Sequence, residues 1–404
     1  MKFIQPLANL CTLGSVSGGK STCIEALTGE KTQKHCSEKV RNITMKAGYQ
    51  NMKIFQDINE NYSSTSGKKD LKNQSLVHHL SFVDCPGHQQ LTQIMLGQVD
   101  LVVGAITVIS MAENISTNNQ LIEHLKAAKL AGLKKIIVCL NKCDLVSKEE
   151  VVKKYTETLE LFKTIGLDEP LSIIPTSFNK KLNINYLLKA IMLFFNPTDF
   201  LNESNDNPFF SVSRSFDINK PGNDILKVQG GVFGGSLLCG KLKVGDTIVI
   251  KPGHIINNKG KVTTNPIKTK ILSIMSDNTS LEAINPGGLM AIKTDINPNI
   301  TKADRMVGQI ICLENDDSII TTNKFNLDIK FFSKETRLNK NDKVRIQIGP
   351  KSLIGTIEST KKKKYSITLT ELSGNPTVTC LRKGTKLYIA TNDSKIKIIG
   401  YSIF

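Results

Sequence analysis

The sequence predicts an α/β phosphate-binding domain followed by two all-β barrels. Three observations carry that prediction: a phosphate-loop motif at Gly14–Thr22, strand-like apolar runs alternating with helical periodicity up to about residue 200, and the loss of helical periodicity from about Pro208 onward. At 404 residues the chain exceeds one ordinary core, so two or three domains are expected.

Gly14-Ser15-Val16-Ser17-Gly18-Gly19-Lys20-Ser21 fits the pattern G-x-x-x-x-G-K-S/T without a gap. Leu7–Leu13 before it reads as the feeding strand, and Thr22–Thr28 as a helix stopped at Gly29. Further strand candidates are Val77–Val83, Leu101–Ile109, Lys135–Leu140 and Leu171–Pro175. Helices are expected at Asn119–Leu130, with Leu121, Leu125 and Ala128 on one face and Gly132 as a stop, and at Lys148–Ile165 and Asn183–Phe195. Strands alternating with helices imply a parallel sheet covered on both faces, with ligand beyond the carboxyl ends of its strands. His78 and His79 are adjacent on a strand and point to opposite faces, so they read as partly buried strand residues rather than a metal pair.

After Asn196-Pro197, short β-rich runs are punctuated by turn signals such as Pro252-Gly253 and Pro286-Gly287-Gly288. They include Phe209–Phe216, Thr247–Ile250, Thr269–Met275 and Met306–Leu313, then Lys343–Ile348, Tyr365–Thr370, Lys386–Ala390 and Ile396–Ile399. We therefore expect domains at 1–200, 207–318 and 319–404. The net charge is +17, and residues 319–404 carry 17 Lys and Arg against 6 Asp and Glu. That imbalance fits either a polyanionic neighbour such as RNA or a solvated lysine-rich surface. The absence of Trp argues against base stacking as the main binding device. Lys361–Lys364 reads as a solvated hairpin tip.

The longest apolar run, Leu101–Ala112, is too short to span a bilayer, and the N-terminus lacks the pattern of a signal peptide. Nine cysteines without a C-x-x-C pair read as reduced thiols, so a cytoplasmic protein without a membrane role is expected.

Chemistry is concentrated at predicted strand ends. In the phosphate loop, backbone N–H groups form an anion nest across Ser17, Gly18, Gly19, Lys20, Ser21 and Thr22, Lys20 supplies charge, and the Ser21 hydroxyl can ligate Mg²⁺. Asp84-Cys85-Pro86-Gly87-His88 follows a strand, placing Asp84 to hold a Mg²⁺-bound water and Gly87 to offer its N–H to a terminal phosphate. Asn141-Lys142-Cys143-Asp144 ends another strand. A carboxylate there accepts two hydrogen bonds from the edge of guanine, which adenine's amino group would not match, with Asn141 and Lys142 bracing the pocket. At Thr176-Ser177-Phe178, a backbone N–H can meet the guanine carbonyl. These motifs, in this order and each at a strand end, specify a guanine-nucleotide site.

Asp84–His88 also resembles the signature of translational GTPases. Arg41–Tyr49, Ser215–Gly222, Gly230–Ser236 and Ala303–Gln309 together resemble the gamma subunit of eukaryotic and archaeal translation initiation factor 2 over nearly the whole chain. The resemblance implies an α/β P-loop GTPase domain followed by two all-β barrel domains. It further implies GTP or GDP and Mg²⁺ as cofactors, with Thr44 joining Ser21 in the metal shell. His88 would be the catalytic residue that orients water, flanked by Val16 and Ile43, and Tyr49 a residue associated with tRNA binding. The implied partners are initiator methionyl-tRNA, alpha and beta subunits, the small ribosomal subunit, and GTPase-activating and nucleotide-exchange factors. Hydrolysis would be slow without an activator.

Four departures from that family pattern stand out. Gly18 replaces a usual histidine, Gln89 a usual acidic residue, and Phe178 a usual small residue, crowding the guanine pocket. The interval Asp57–Gln74 carries no cysteine where relatives often hold a zinc knuckle, so no zinc is expected and the segment reads as a loose loop. Two alternatives stay open: a nucleotide-gated scaffold with little hydrolysis, and a related tRNA-carrying elongation factor.

Overall fold

A computed structural model describes residues 4–31, 48–65, 74–85, 97, 101–200, 206–220, 222, 224, 228–258, 261–332, 336–361, 364–393 and 397–404. The chain divides into two compact units. The first comprises Met1–Asn202 with the short pieces Ser276–Thr279 and Gly287–Leu289, and the second holds the remainder.

The first unit is built on a seven-stranded sheet of β1 (Ala8–Leu13), β2 (Gly48–Asp57), β3 (Tyr62–Thr65), β4 (Gln74–Asp84), β5 (Gly104–Ser110), β6 (Ile136–Asn141) and β7 (Ser172–Thr176), in the order β3-β2-β4-β1-β5-β6-β7. From β4 to β7 neighbouring strands pair in parallel. The helices are α1 (Lys20–Thr28), α2 (Asn119–Ala131), α3 (Lys148–Ile165) and α4 (Ile184–Phe194).

Local chemistry sets the helix bounds. Asn118 and Ser147 cap α2 and α3 by accepting the N–H groups of Leu121 and Glu150, and Glu149 and Glu150 place negative charge in the first turn of α3. Gly132 and Gly166 end them in left-handed conformation. Leu10, Ile24, Leu27, Ile106, Ile137 and Leu187 are fully buried in the core of this unit, which fits central strands apolar on both faces. β5 starts at Gly104 rather than Leu101, and α4 starts at Ile184, after Asn183 in left-handed conformation, whose side chain donates to the Pro175 carbonyl and does not cap the helix.

Three expectations are corrected. The sheet is not wholly parallel, because β2 and β3 form an antiparallel edge. β2 went unread because Gln50, Asn51 and Lys53 interrupt its apolar alternation, although Met52 and Ile54 are fully buried. The segment after Asp57 is not wholly a loose loop. The Asp57 carboxylate accepts the N–H groups of Asn59 and Asn61 at 2.9 and 2.8 Å, turning the chain into β3. Lastly, His78 and His79 are completely buried rather than partly so. The His78 Nδ1 accepts the His79 N–H at 3.1 Å and its Nε2 donates to the Phe195 carbonyl at 2.8 Å, while His79 Nδ1 donates to the Ile4 carbonyl at 3.1 Å.

The second unit contains two β structures, each with its own core. In the first, β8 (Phe209–Phe216), β9 (Val232–Cys239), β10 (Thr247–Asn258), β11 (Lys261–Ser276), β12 (Leu289–Thr294) and β13 (Ile310–Leu313) run in the order β10-β13-β8-β9-β12-β11. β10 pairs with β11 as well, closing the ring around Phe210, Phe233, Ile250 and Ile292. In the second, β14 (Lys324–Asp328), β15 (Lys330–Phe331), β16 (Lys343–Ile348), β17 (Lys351–Lys361), β18 (Lys364–Thr370), β19 (Lys386–Thr391) and β20 (Ile398–Ile403) follow the order β14-β18-β17-β16-β19-β20-β15. Only Ile329 separates β14 from β15, so one bent strand pairs with β18 at one edge and β20 at the other, which closes this barrel too. Lys361 faces Lys364 across the end of the β17–β18 hairpin, as expected of a tip.

Candidate functional site

The carboxyl ends of the parallel strands bring the predicted motifs to one edge. Asn141 at the end of β6 is in register with Ser110 of β5 and Thr176 of β7, while β1 leads into the loop at Gly14 and β4 ends at Asp84. Gly14 and Gly19 of the loop have φ of 132° and 104°. A Cβ on Gly14 would collide with the Val108 carbonyl, and one on Gly19 with the Asn141 amide, so both positions require glycine. Gly18 has no such backbone demand. A Cβ there would lie 3.1 Å from the Val108 carbonyl, so this buried position admits a side chain only with a small shift.

α1 starts directly at Lys20, with no side-chain cap and no acidic residue in its first turn. Its positive end, beside Ser17 in left-handed conformation, is therefore suited to an anion. Lys20 is 6% exposed, and its ammonium donates to the carbonyls of Gly14 and Ser15 at 3.1 and 2.7 Å. Burial pushes its pKa down, and the Asp84 charge opposes that shift. The Ser21 hydroxyl donates to one Asp84 oxygen at 2.7 Å and the Thr12 hydroxyl to the other at 3.0 Å, so two strand ends and the helix start converge on one buried carboxylate. Thr22, the next helical residue, is half-buried.

At the other end, Asn141 is 4% exposed and ties two loops together. Its Nδ2 donates to the Gly18 carbonyl at 2.9 Å and its Oδ1 accepts the Phe178 N–H at 3.2 Å. Lys142 adopts φ 65° and starts the short turn Cys143–Leu145. The Asp144 carboxylate pairs with Lys180 at 3.1 Å. A hydrogen bond from the Ser177 side chain and then Lys180 hold its pKa below the usual carboxylate range.

Phe178 does not crowd this pocket, because its ring is 3% exposed and belongs to the core of the unit. Nor do the Ser177 and Phe178 N–H groups stand open to a base carbonyl. They donate to the Leu182 carbonyl at 3.4 Å and to Asn141 respectively. Tyr49, half-buried on β2, lies opposite Val83, one residue from the end of β4. Thr44, Gly87 and His88, like Ile43 and Gln89, lie outside the described residues.

Sequence reasoning missed Thr12, Glu113, Gln120, His124 and Lys180. Each contacts a motif residue through a side chain from outside any motif. Only the tight spacing of Thr12 to the loop could have signalled it.

Comparison with known proteins places this geometry. Residues 5–197 match the family described as the elongation factor Tu GTP binding domain. Over 378 residues the chain is 34% identical to the eukaryotic translation initiation factor 2 subunit gamma of Encephalitozoon cuniculi, covering 88% of this chain and 84% of that protein. It is 34% identical to the eukaryotic translation initiation factor 2 subunit 3 of Drosophila melanogaster, covering 98% and 88%. It is 38% identical to the translation initiation factor 2 subunit gamma of Thermoplasma volcanium, covering 77% and 74%. Among solved structures, a bacterial selenocysteine-specific elongation factor superposes with a TM-score of 0.73 at 22% identity, and this chain spans 58% of that one. The elongation factor SelB of Methanococcus maripaludis superposes at 0.71 with 18% identity. These two likenesses concern the fold alone.

Proposed function

Because the chain belongs to the family of translation initiation factor 2 gamma subunits, we propose that it binds initiator methionyl-tRNA in its GTP state, carries it to the small ribosomal subunit and releases it after hydrolysis. Its first unit is a GTPase domain of the elongation factor Tu type. The observation that carries the nucleotide reading is the Asn141 tie, which holds the phosphate loop at Gly18 and the segment beside Asp144 at one fixed separation. That rigidity suits a ligand with phosphates at one end and a base at the other.

The residues present fit guanine nucleotide and Mg²⁺. A hydroxyl and a buried carboxylate 2.7 Å apart are hard oxygen donors of the kind Mg²⁺ takes, directly at Ser21 and through water at Asp84. When bound, the metal neutralises charge developing on the phosphates. In this reading Lys20 exchanges its two carbonyl partners for phosphate oxygens, and the N–H groups of Ser17 to Thr22 cradle the anion. Asp144, kept ionised and oriented by Ser177, accepts the guanine edge, and Lys142 covers it. Thr44 would complete the metal shell, Gly87 would sense the terminal phosphate, and His88 would place the attacking water, a positioning task. Zinc has no part in the proposal.

Tyr49 would contact tRNA beside the phosphate end. The basic domain at 319–404 would add a salt-dependent contact to RNA, and neutralising Lys361–Lys364 should then flatten the salt slope. Alpha and beta subunits, an activating protein and an exchange factor complete the proposed partners, in the cytoplasm. Among the described residues, no helix is long and apolar enough to cross a membrane.

Single-turnover phosphate release with activator present tests the enzymatic half. His88→Ala should slow it by at least roughly a hundredfold, whereas equal rates would favour a scaffold. Filter binding with initiator and elongator aminoacyl-tRNAs tests the cargo, and a preference for elongator species would sink the proposal.

A further inference from the structure

Three consecutive residues at the start of the phosphate loop are gripped by side chains from a single stretch, residues 113–124, that carries no nucleotide-binding motif. The Gly14 N–H donates to His124 Nδ1 at 3.3 Å, the Ser15 hydroxyl to Glu113 Oε2 at 2.7 Å, and the Val16 N–H to Gln120 Oε1 at 3.1 Å. Gln120 and His124 are four residues apart on α2, so they share one helical face. Glu113 is itself held: Asn118 Nδ2 donates to the same Oε2 at 2.6 Å, and the Lys154 ammonium donates to its backbone carbonyl at 2.9 Å. From the other side Lys20 binds the Gly14 and Ser15 carbonyls.

We propose that Gln120 and His124 are positioning residues for phosphate binding, clamping the loop from α2 so that it is already shaped before nucleotide arrives. This rests on the reading that the loop binds the nucleotide's phosphates. An N–H donor at Nδ1 requires a neutral ring with its proton on Nε2, and burial followed by the nearby Lys20 charge keeps His124 neutral. That buried Nε2 has no hydrogen-bond partner among the described residues. An unpaired buried donor is costly, and an apolar side chain would remove it only by leaving the buried Gly14 N–H unpaired in its place. The Gly14 bond is what a histidine supplies here in return. A loop shaped in advance forfeits little ordering entropy on binding, so the clamp's contribution appears as affinity at the phosphate end.

The test compares four forms of the full chain: wild type, His124→Leu, His124→Asn and Gln120→Met. Leucine removes the acceptor at similar bulk, asparagine keeps one near the Nδ1 position, and the half-buried Gln120 tolerates methionine without a core defect. Affinities and dissociation rates of fluorescent analogues of GDP and GMP are measured beside the thermal midpoint. We expect His124→Leu and Gln120→Met to release GDP about tenfold faster and to lower the GDP-to-GMP affinity ratio. Their midpoints should stay near that of wild type, since His124→Leu exchanges one unpaired donor for another and Val16 is half-buried, and His124→Asn should recover most of the loss. Hydrogen exchange in the nucleotide-free loop should rise in the same two variants. GDP release within twofold of wild type in both would overturn the inference, as would equal losses for GDP and GMP that track a falling midpoint. Failure of the wild type to bind GDP would instead refute the phosphate reading itself.

Discussion

Asn141→Ala is the sharpest perturbation of the site. The side chain is nearly inaccessible, donates to the Gly18 carbonyl at 2.9 Å and accepts the Phe178 N–H at 3.2 Å. Truncation leaves a buried acceptor in the phosphate loop and a buried donor beside the base pocket, each costing about 1–3 kcal/mol when unmade. Both bonds join protein groups alone, so most of that cost falls on folding stability. With about 1.4 kcal/mol of it needed to order the two loops around the ligand, GDP affinity should fall about tenfold. The chain contains no tryptophan, so a fluorescent GDP analogue gives an unobstructed titration. Asn141→Asp is the informative companion. It keeps an acceptor for Phe178 but turns an oxygen toward the Gly18 carbonyl, so it should bind no better than the alanine variant. GDP affinity within threefold of wild type for Asn141→Ala, or rescue by aspartate, would refute the claim that Asn141 couples the two ends of the site.

Asp144→Asn should lower GDP affinity by roughly two orders of magnitude and favour xanthosine diphosphate, whose ring offers a carbonyl where guanine offers an amine; unchanged base preference in competition titrations would remove Asp144 from the base pocket. Burial lowers the His78 pKa to about 4 and, with Lys20, that of His124 to about 3, against 6.5 when unfolded. Below pH 6.5 the unfolded chain therefore takes up protons that the folded chain refuses. Stability should be full above pH 6.5 and fall progressively toward pH 4, by about 2 kcal/mol per histidine at pH 5. A thermal midpoint of the first unit that stays level from pH 7 to pH 5 would contradict this. In the second unit, the Arg382 guanidinium donates to the buried Asp316 carboxylate at 2.7 Å and lies 4.8 Å from the Phe209 ring. Burial pushes the Asp316 pKa up, but the Ser318 hydroxyl and Arg382 outweigh it and keep the group charged. Arg382→Met should cost about 3–5 kcal/mol in unfolding of this unit, with partial recovery on adding Asp316→Asn; an unshifted transition would show that the pair is dispensable.

How much of this was legible in the sequence follows from how local each determinant is. α3 could be bounded to the residue because its cap, charged first turn and terminal glycine lie within the segment itself. The strand-end motifs were legible because a nucleotide is bound by short contiguous loops. β2 and β3 were not: the polar residues Gln50, Asn51 and Lys53 mask the period of β2, and β3 is four residues long and only half-buried. Phe178 was misjudged because adjacency to a motif says nothing of where a ring turns, and here it turns into the core. Glu113, Gln120 and His124 act on the loop from about 100 residues away, through a pairing of elements that only the folded sheet creates. Closure of both barrels likewise rests on long-range pairing and not on any local pattern.

In the proposed function the nucleotide state governs the cargo. Its most direct test is equilibrium binding of methionylated initiator tRNA to the purified chain loaded with GDP or with a non-hydrolysable GTP analogue. Binding should be at least about tenfold tighter in the GTP-analogue form, equivalent to roughly 1.4 kcal/mol of coupling between the two ligands. Equal affinity in the two states would contradict it.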